Sequence, residues 1–407
     1  MQKPQRIGSL PCGEVWRGFC LFILALSLSS CITEYFVTLT NNKPMLFVDG
    51  SIIENTDVIF HITQSFALNI DTIPDEAFVN DAILQIIDSN GNRSEPAVSL
   101  GRGKYQIRIG ELNTNMQYGI RIEHDGDVFE STLSRPLVTP EVNIRWQQYE
   151  PLEAVYFYLS THDETGENNF FLWHYDEVWE TMGFGTNIRF DPITNTFHPT
   201  SISRQCWKRN AAYEFGTTEA LTESRIIDRL LFQVEPGCDR FFYLYSLTVT
   251  QKSVSQGAFE FHQNMKIQNE EMGGIFTPQP AEVLGNIRCI TNPQRRIMGY
   301  INTLKNVSQE RIFIRRWHLR WPSLDWCGEH IMYCNIREHT RLMEQDFSPR
   351  FLYSQGYRPY AGNYYDGHNF APYSWMRASC IDCRERDNTI ERPYFFPHTG
   401  LELHICE

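Results

Sequence analysis

The residues of this sequence with the clearest chemical potential are cysteines, and most of them lie in the second half of the chain. No cysteine occurs between Cys31 and Cys206, and eight follow from there. An even number of cysteines favours disulfide bonds in an oxidising compartment, where such bonds persist. Many pairings are compatible with eight cysteines, so the sequence does not fix the connectivity. The disulfide candidates are Cys206, Cys238, Cys289, Cys327, Cys334, Cys380, Cys383 and Cys406.

The closest pair is Cys380-Ile381-Asp382-Cys383, which has the spacing of both zinc knuckles and redox-active thiols. A zinc site would need a second close pair, and the separation of Cys327 and Cys334 is wide for that. A redox pair normally begins a helix in a thioredoxin-like βαβ unit, which the surrounding sequence does not predict. Structural disulfides are therefore the favoured interpretation, with zinc binding and redox chemistry as the alternatives.

A second concentration of functional residue types is the tyrosine-rich segment 347–375. Its tyrosines lie among Gly, Pro and Asn without a clear period, which predicts a long ordered loop. Tyrosine rings stack on sugars or pack at protein interfaces, so the segment is a candidate binding loop. The alternative is that the rings pack beneath their own loop. The candidate residues are Tyr353, Tyr357, Tyr360, Tyr364, Tyr365 and Tyr373.

Motifs of the common enzyme classes are missing. The sequence has no Gly-x-Ser-x-Gly, His-Glu-x-x-His, phosphate-binding loop or Gly-x-Gly-x-x-Gly. No metal or cofactor is expected, because the histidines of the C-terminal half lack ligand spacing. A hydrolase needs only two carboxylates, and the 49 Asp and Glu residues leave that alternative open. The histidines in question are His318, His330, His339, His398 and His404.

The N-terminal segment predicts export followed by attachment of lipid to Cys31. Basic residues precede the apolar run 19–28, and the small residues Ser29 and Ser30 come directly before the cysteine. This order is typical of a signal peptide, and the run is about half of the ~20 residues that a membrane-spanning helix needs. Leu28-Ser29-Ser30-Cys31 resembles the bacterial lipobox, which implies a lipid anchor on the cysteine. The alternative is an ordinary signal peptide with a cysteine near its cleavage site by chance.

Composition and charge limit the kinds of partner. The formal net charge is −13, and removal of the basic signal peptide leaves the chain more acidic still. Nucleic-acid binding requires a basic face, so no nucleic acid is expected as a partner. Aromatic residues make up 14% of the chain, and this composition favours strands.

The elements that carry these residues are predicted to be mainly strands, in two domains that follow a signal peptide of residues 1–30. In residues 31–140, alternating segments lead into the turn signals Asn90-Gly91 and Asp125-Gly126, which favour hairpins. Several such strands predict an immunoglobulin-like or fibronectin-like sandwich. The proline-containing segment 135–140 predicts the linker that leaves this sandwich.

Residues 141–407 predict a larger β-rich α+β domain. One helix begins near Ser253 and Gln256, which form a capping box, and ends at Gly273-Gly274. A weaker helical stretch covers 329–343. The predicted strands of this domain are 154–160, 170–178, 226–234 and 241–251.

Several segments, taken in order, resemble one family, the outer-membrane lipoproteins of Bacteroidota catalogued as domain of unknown function 4249. The resemblance extends over nearly all of the chain after the predicted signal peptide, and its specificity comes from the order of the segments. They are Cys31-Ile32-Thr33-Glu34, Leu46–Gly50, Tyr118–Ile122, Gly126–Ser131, Cys206-Trp207, Tyr245–Val249, Ile275–Pro278, Leu284–Ile287, Met298–Tyr300, Cys380–Arg384 and Arg392-Pro393.

The resemblance implies an N-terminal sandwich, a larger β-rich C-terminal domain and attachment to the outer membrane. Members of the family are often encoded beside TonB-dependent receptors, which implies, by association, a role as accessory to such a transporter. The family has no established catalytic residues, so the resemblance assigns none. The tyrosine-rich segment corresponds to no motif of the family.

Together these features predict a lipid-anchored outer-membrane protein that is not an enzyme and that binds a ligand or assists a TonB-dependent transporter. The first alternative is a stand-alone surface lipoprotein that binds glycan or peptide, and the second is the hydrolase with dispersed carboxylates. Contact with the membrane is expected through the lipid on Cys31. The periplasmic and cell-surface sides of that membrane are both open at this point.

Overall fold

A computed structural model describes residues 43–66, 73–151, 153–183, 186–200, 202, 205–217, 225–235, 239–241, 243–271, 285–320, 348–365, 369–386 and 389–397. The predicted lipid anchor Cys31, the signal peptide and the helical stretch 329–343 lie outside these residues. All elements described below belong to one compact unit, Pro44–Glu407. None of the described helices is long and apolar enough to cross a membrane.

The described residues are mainly β, as the sequence predicts. The strands are β1 (Leu46–Asp49), β2 (Ser51–Ile53), β3 (Asp57–Gln64), β4 (Ile83–Asp88), β5 (Val98–Gly101), β6 (Lys104–Arg108), β7 (Tyr118–His124), β8 (Asp127–Ser131), β9 (Val142–Gln147), β10 (Val155–His162), β11 (Phe170–Met182), β12 (Ile188–Asp191), β13 (Thr196–Pro199), β14 (Gln205–Thr217), β15 (Arg225–Val234), β16 (Leu244–Ser253), β17 (Ile287–Cys289), β18 (Ile297–Met298), β19 (Asn302–Leu304), β20 (Ser308–Arg315), β21 (Tyr357–Tyr365) and β22 (Asn369–Arg377). The α-helices are α1 (Gln256–Glu271), α2 (Pro349–Ser354) and α3 (Ala378–Ile381).

The first sandwich consists of two sheets that share one apolar core. Their strand orders are β18-β1-β3-β6-β5 and β17-β8-β7-β4, with a small parallel pair of β19 and β2. Side chains alternate between the two faces of a strand, and in β3 this buries Val58, Phe60 and Ile62. Tyr105 lies in the same core, where its hydroxyl donates to the Val79 carbonyl at 3.0 Å. Burial of these side chains from both sheets holds the sandwich together.

A later part of the chain returns to the first sandwich. Residues 287–304 supply β17, β18 and β19, and Ile287 and Ile301 belong to its core. β18 pairs in parallel with β1, and β19 pairs in parallel with β2. The division of the chain at residue 140 stays a prediction, and the structure adds that this sandwich takes strands from both sides of it.

Both turn signals in the first sandwich reverse the chain. Asp125 and Gly126 have φ values of 55° and 78° and join β7 to β8 in the predicted hairpin. After Asn90-Gly91 the chain returns along β4, where Asp88 N donates to the Asn92 carbonyl at 3.1 Å and Ser94 N donates to the Ile86 carbonyl at 2.9 Å. The returning segment forms an isolated antiparallel bridge rather than a full strand.

Among the described residues, two segments that lead from the first sandwich to the second run side by side, and we call them the double crossing (residues 137–142 and 304–308). Leu137 bridges Leu304 in parallel. Asn306 Oδ1 accepts from Thr139 N at 2.9 Å, and Asn306 Nδ2 donates to the Thr139 carbonyl at 2.8 Å. Ser308 Oγ accepts from Val142 N at 2.9 Å. The predicted linker is thus one half of a hydrogen-bonded pair of segments.

The second sandwich packs the sheet β15-β10-β9 against the sheet β14-β11-β16-β20. Its core contains the fully buried rings of Phe157, Trp173 and Tyr245. Trp173 Nε1 donates to the buried Gln251 Oε1 at 2.7 Å, and the Gln251 amide donates to the carbonyl of Pro140 at 2.9 Å. The core is therefore tied to the double crossing. All four strands predicted for this part of the chain are present.

The predicted helix is present as α1. Its N-terminal hydrogen bond comes from Ser255, whose Oγ accepts from Ala258 N at 3.2 Å, so the cap lies two residues after the predicted Ser253. Ala258 and Phe259 are buried against Phe170 and Leu172 of β11. The helix thus covers one end of the outward surface of the sheet β14-β11-β16-β20.

The tyrosine-rich segment is not a loop, and the prediction made for it is wrong. Ser348 accepts from Phe351 N at 3.3 Å and caps α2, in which Pro349 occupies the first turn. Gly356, with a φ of 81°, ends this helix, since glycine adopts this conformation without strain. The strands β21 and β22 then form an antiparallel hairpin. The aromatic residues of this segment follow no period of two in the sequence, so the strands could not be recognised there.

Candidate functional site

The cysteines show two different environments. Cys206 and Cys383 form a disulfide, which links β14 to the segment after α3, and Cys380 is disulfide-bonded as well. Cys380 and Cys383 are not bonded to each other, so the redox interpretation of this motif has no support here. Cys289 is a free, buried thiol in the core of the first sandwich, and its assignment as a disulfide cysteine is wrong. Cys238, Cys327, Cys334 and Cys406 lie outside the described residues.

Metal binding finds no geometric support in the part of the chain that the structure describes. No group of three or more His, Cys, Asp or Glu side chains converges there. The imidazole of His318 is bonded to the backbone, because its Nδ1 accepts from Arg315 N at 3.2 Å. The other four histidines noted above, His330, His339, His398 and His404, lie outside the described residues.

The candidate binding tyrosines of the tyrosine-rich segment point into their own cluster where their side chains are described. Tyr353 and Tyr357 pack against buried Phe190, Leu352 and Trp375. The ring centroids of Tyr353 and Phe190 are 5.8 Å apart. The side chains of Tyr360, Tyr364, Tyr365 and Tyr373 lie outside the description.

A different tyrosine cluster lies partly exposed on the outward surface of the sheet β15-β10-β9. We call it the tyrosine face, and it arises from the alternation of β10. Val155, Phe157 and Leu159 point into the core of the second sandwich, so Tyr156 and Tyr158 point outwards. The members of the tyrosine face are Arg145, Gln147, Tyr149, Tyr156, Tyr158 and Asp228.

The three tyrosines hold one another in place. The hydroxyls of Tyr149 and Tyr158 are 2.7 Å apart, in a hydrogen bond that either can donate. The ring of Tyr149 meets that of Tyr156 edge-on, with centroids 5.5 Å apart and an interplanar angle of 65°. Edge-to-face contacts of this kind stabilise aromatic pairs. Tyr149 nevertheless remains 47% exposed. Its ring is therefore held in place by its neighbours and is still accessible to a ligand.

Arg145 connects the rings to the polar part of the tyrosine face. Its guanidinium lies over the ring of Tyr158, 4.1 Å from the centroid. Its Nε donates to Asp228 Oδ1 at 2.6 Å, and its Nη1 donates to Gln147 Oε1 at 2.9 Å. A planar cation, a carboxylate and an amide are therefore arranged beside exposed aromatic rings.

Asp228 reaches this position through an irregularity in β15. The pairing of β10 with β15 shifts register opposite Ser160, and Asp228 has a φ of 50°. The Asp228 backbone N–H donates to Ser160 Oγ at 2.9 Å. Bulges of this kind redirect a side chain, and left-handed backbone at a residue other than glycine costs free energy. The fold thus tolerates strain to place this carboxylate beside Arg145.

The electrostatics of the tyrosine face favour neutral hydroxyls and a closed ion pair at neutral pH. The hydrogen bond between Tyr158 and Tyr149, together with burial, raises the pKa of Tyr158 from 10.0 to about 12. The Arg145 guanidinium lowers the pKa of Asp228, and the Asp228 carboxylate in turn raises the pKa of Arg145. One positive and one negative charge cancel, which leaves a surface that is polar and uncharged overall.

Sequence reasoning missed the tyrosine face although it predicted the strand that carries it. The run Tyr156-Phe157-Tyr158-Leu159 is aromatic or apolar at every position, so the usual alternation between apolar and polar residues is invisible. The available signal was Tyr-x-Tyr within a predicted strand, because period two places both rings on one face. Asp228 gave no such signal, since a bulge is not visible in residue types.

The described chain is thus a β protein of two sandwiches with an exposed aromatic and polar surface on the second. A family model described as a domain of unknown function (DUF4249) matches residues 32–310. The protein therefore belongs to this family. The match includes β1 to β19 and the whole tyrosine face, whereas Cys380–Arg384 and Arg392-Pro393, which also resemble the family, lie beyond it. No curated protein matches the chain.

Proposed function

We propose that the protein is a lipid-anchored outer-membrane protein that is not an enzyme, binds a ligand on its tyrosine face and assists a TonB-dependent transporter. The observation that carries this proposal is the braced cluster of exposed Tyr149 with half-buried Tyr156 and Tyr158, which lies beside the Arg145–Asp228 pair. Aromatic residues and arginine are the residue types most enriched at recognition surfaces. The proposed anchor is Cys31, which lies outside the described residues.

The connection between the sandwiches supports a role in presenting a bound ligand. The double crossing is held by hydrogen bonds between Thr139 and Asn306 and by the bridge between Leu137 and Leu304. Gln251 adds bonds from the core of the second sandwich to the Pro140 carbonyl and to Thr161 Oγ1. A binding surface carried on a stiff body loses less entropy when it docks against a membrane partner. Tethering in the same membrane also raises the effective concentration of that partner.

Two of the buried acids of the second sandwich, Glu177 and Glu180, lack the arrangement that hydrolysis needs. Glu177 points into the core, where it accepts from the Tyr245 hydroxyl at 2.8 Å and pairs with Arg240 Nε at 3.1 Å. Glu180 lies on the opposite face of β11, bonded to Gln205, and burial raises its pKa. A glycosidase needs two carboxyl groups on either side of one bond. Two acids separated by a sheet do not provide that arrangement.

Co-purification from membranes tests the proposal. The full chain and a Cys31→Ala variant are each pulled down from detergent-solubilised outer membranes. We expect the wild type to bring down a β-barrel transporter and the variant to lose both the membrane fraction and the barrel. Recovery of the wild type without any barrel would remove the transporter from the proposal. The stand-alone binding protein, which the same tyrosine face favours, would then be the better description.

A further inference from the structure

We infer that the tyrosine face is a saccharide-binding site whose ligand is a chain of neutral sugar rings. This inference rests on the proposal that the protein binds a ligand there, and it names the chemical class of that ligand. It is carried by three features of the face: the exposed rings, the hydrogen-bonding groups beside them and the position of β10 within its sheet.

The rings supply flat apolar area at the surface of the sheet. Tyr149 is 47% exposed, and its contact with Tyr156 is edge-on, so the two rings offer surfaces in different planes. Pyranose rings carry C–H groups on their faces, and these pack on aromatic side chains through apolar contact and weak C–H interactions. Tyrosine adds a hydroxyl to each ring, which suits a ligand that is apolar on its faces and polar at its rim.

The groups beside the rings match the rim of a sugar. Arg145 has five N–H donors, of which Asp228 and Gln147 engage two in the described contacts. The Asp228 carboxylate and the Gln147 carbonyl are acceptors held within reach of the same guanidinium. Donors and acceptors in one fixed array suit neighbouring hydroxyls, each of which both donates and accepts. Pre-arranged groups of this kind lower the entropy cost of binding.

The place of β10 in its sheet favours a saccharide over a peptide. Extended peptides are commonly bound by addition to a free sheet edge, through main-chain hydrogen bonds. β10 is the central strand, paired with β9 on one side and with β15 on the other, so its backbone groups are already used. Recognition by Tyr156 and Tyr158 of β10 must therefore come from side chains alone, through stacking and hydroxyl contacts.

The charges favour a neutral sugar over an acidic one. The single cation of the tyrosine face is paired with Asp228 at 2.6 Å, and the chain as a whole has a formal net charge of −13. A uronic acid or a sulfated sugar would meet no surplus positive charge there. An acidic chain would also be repelled at long range by the excess of carboxylates.

Affinity electrophoresis of the detergent-solubilised full chain tests the inference. Native gels contain one of four neutral polysaccharides (mixed-linkage β-glucan, glycogen, galactomannan or arabinoxylan), the anionic alginate, or gelatin as a polypeptide probe. The variants are Tyr149→Ala/Tyr156→Ala and, as a matched control, Tyr213→Ala. Tyr213 is 63% exposed on the other sheet of the same sandwich, so its removal takes away an exposed tyrosine without touching the face.

We expect at least one neutral polysaccharide to retard the wild type, the double variant to bind at least tenfold more weakly, and Tyr213→Ala to stay within twofold of the wild type. Thermal unfolding of all three proteins verifies the fold, and the two single variants decide the result if the double variant is unstable. Retardation by none of the neutral polysaccharides would overturn the inference, as would equal retardation of wild type and double variant.

The remaining outcomes separate this inference from the proposed function. Binding of gelatin or alginate alone, lost in the double variant, would overturn the neutral saccharide but keep a ligand on the tyrosine face. A barrel partner recovered from membranes without any polysaccharide binding would overturn the inference and leave the transporter role standing. Saccharide binding without a barrel partner would support the inference and remove the transporter from the proposed function.

Discussion

The two outward surfaces of the second sandwich are built from the same kind of strand but are used differently. On the sheet β14-β11-β16-β20, which we call the covered face, α1 packs on Phe170 and Leu172 at one end, and the segment around Phe396 packs on Val178 at the other. On the sheet β15-β10-β9, the tyrosine face holds partly exposed rings in a hydrogen-bonded array. The difference lies in what the outward residues need: phenylalanine, leucine and valine need cover, whereas tyrosines with bonded hydroxyls do not.

The middle of the covered face is polar, and its side chains bond to one another. Asp176 accepts two hydrogen bonds from Arg209, both at 2.6 Å, and Arg311 Nε donates to Thr248 Oγ1 at 2.8 Å. Burial lowers the pKa of His174, whose ring lies 4.5 Å from that of Tyr213. Charged groups are therefore paired on both surfaces, and what distinguishes the tyrosine face is its group of three contacting tyrosines.

The largest expected effect comes from removing cover. Phe259→Ala deletes a buried ring of α1 and should lower the free energy of unfolding by about 3–5 kcal/mol, the usual range for a buried Phe. Tyr149→Ala on the tyrosine face is the matched control and should cost less than about 1 kcal/mol. Chemical denaturation of both variants measures the difference. Similar losses for the two would mean that the tyrosine face is as much a part of the core as α1 is.

The disulfide that ties the segment after α3 to β14 should rank next. Replacing Cys206 and Cys383 together by Ser removes a link between residues 177 apart in sequence, which typically costs about 2–5 kcal/mol. Cys289→Ala, which removes a free buried thiol, should cost about 1 kcal/mol. Denaturation midpoints measured without reductant compare the two variants. The role given to the disulfide is incorrect if the double serine variant is as stable as the wild type.

A smaller effect is expected at the strained residue of the tyrosine face. Asp228→Ala loses the Arg145 contact and must adopt a φ of 50° without a side chain suited to it, so it should lower the urea midpoint of unfolding. Asp228→Asn, which tolerates this backbone, should lower the midpoint less. Urea unfolding of the pair provides the measurement. A larger loss for Asn than for Ala would contradict the assignment of backbone strain.

The smallest effect is on ionisation. Because the pKa of Tyr158 is raised from 10.0 to about 12 in the folded protein, its contribution to stability is complete below pH 10 and is lost as the pH rises through about 12. Tyr149→Phe removes the main cause, so the Tyr158 pKa should fall towards 10. A titration of ¹³Cζ-labelled tyrosine by NMR follows the shift directly. An unchanged Tyr158 titration in the variant would show that burial alone sets the value.

The sequence predicted the elements that local signals define. The helix α1 was visible from apolar spacing and a serine near its start, and the hairpin at Asp125-Gly126 was visible because both positions need positive φ. The strands of the second sandwich were visible as apolar segments of ordinary strand length. In each case the residues that specify the element lie within the element or next to it.

Features that depend on distant pairing were not predictable in this way. β17, β18 and β19 are two or three residues long and pair with strands at the start of the chain, so nothing local marks them as part of the first sandwich. In the sequence, nothing distinguishes Cys289 from the other seven cysteines that follow Cys31. Only the structure shows that it is a free thiol in the core of the first sandwich. The tyrosine face depends on the contact between Asp228 of β15 and Arg145 of β9. No spacing of residues in the sequence predicts this contact.

The most direct test of the central claim, that the tyrosine face is the ligand-binding surface, is the ¹³Cζ-tyrosine NMR spectrum of the full chain with and without the neutral polysaccharides described above. Replacement by Phe assigns the resonances of Tyr149, Tyr156 and Tyr213. We expect a neutral polysaccharide to shift the resonances of Tyr149 and Tyr156 and to leave that of Tyr213 unchanged. Shifts confined to Tyr213 or to tyrosines outside the face, or no shift with any of them, would contradict it.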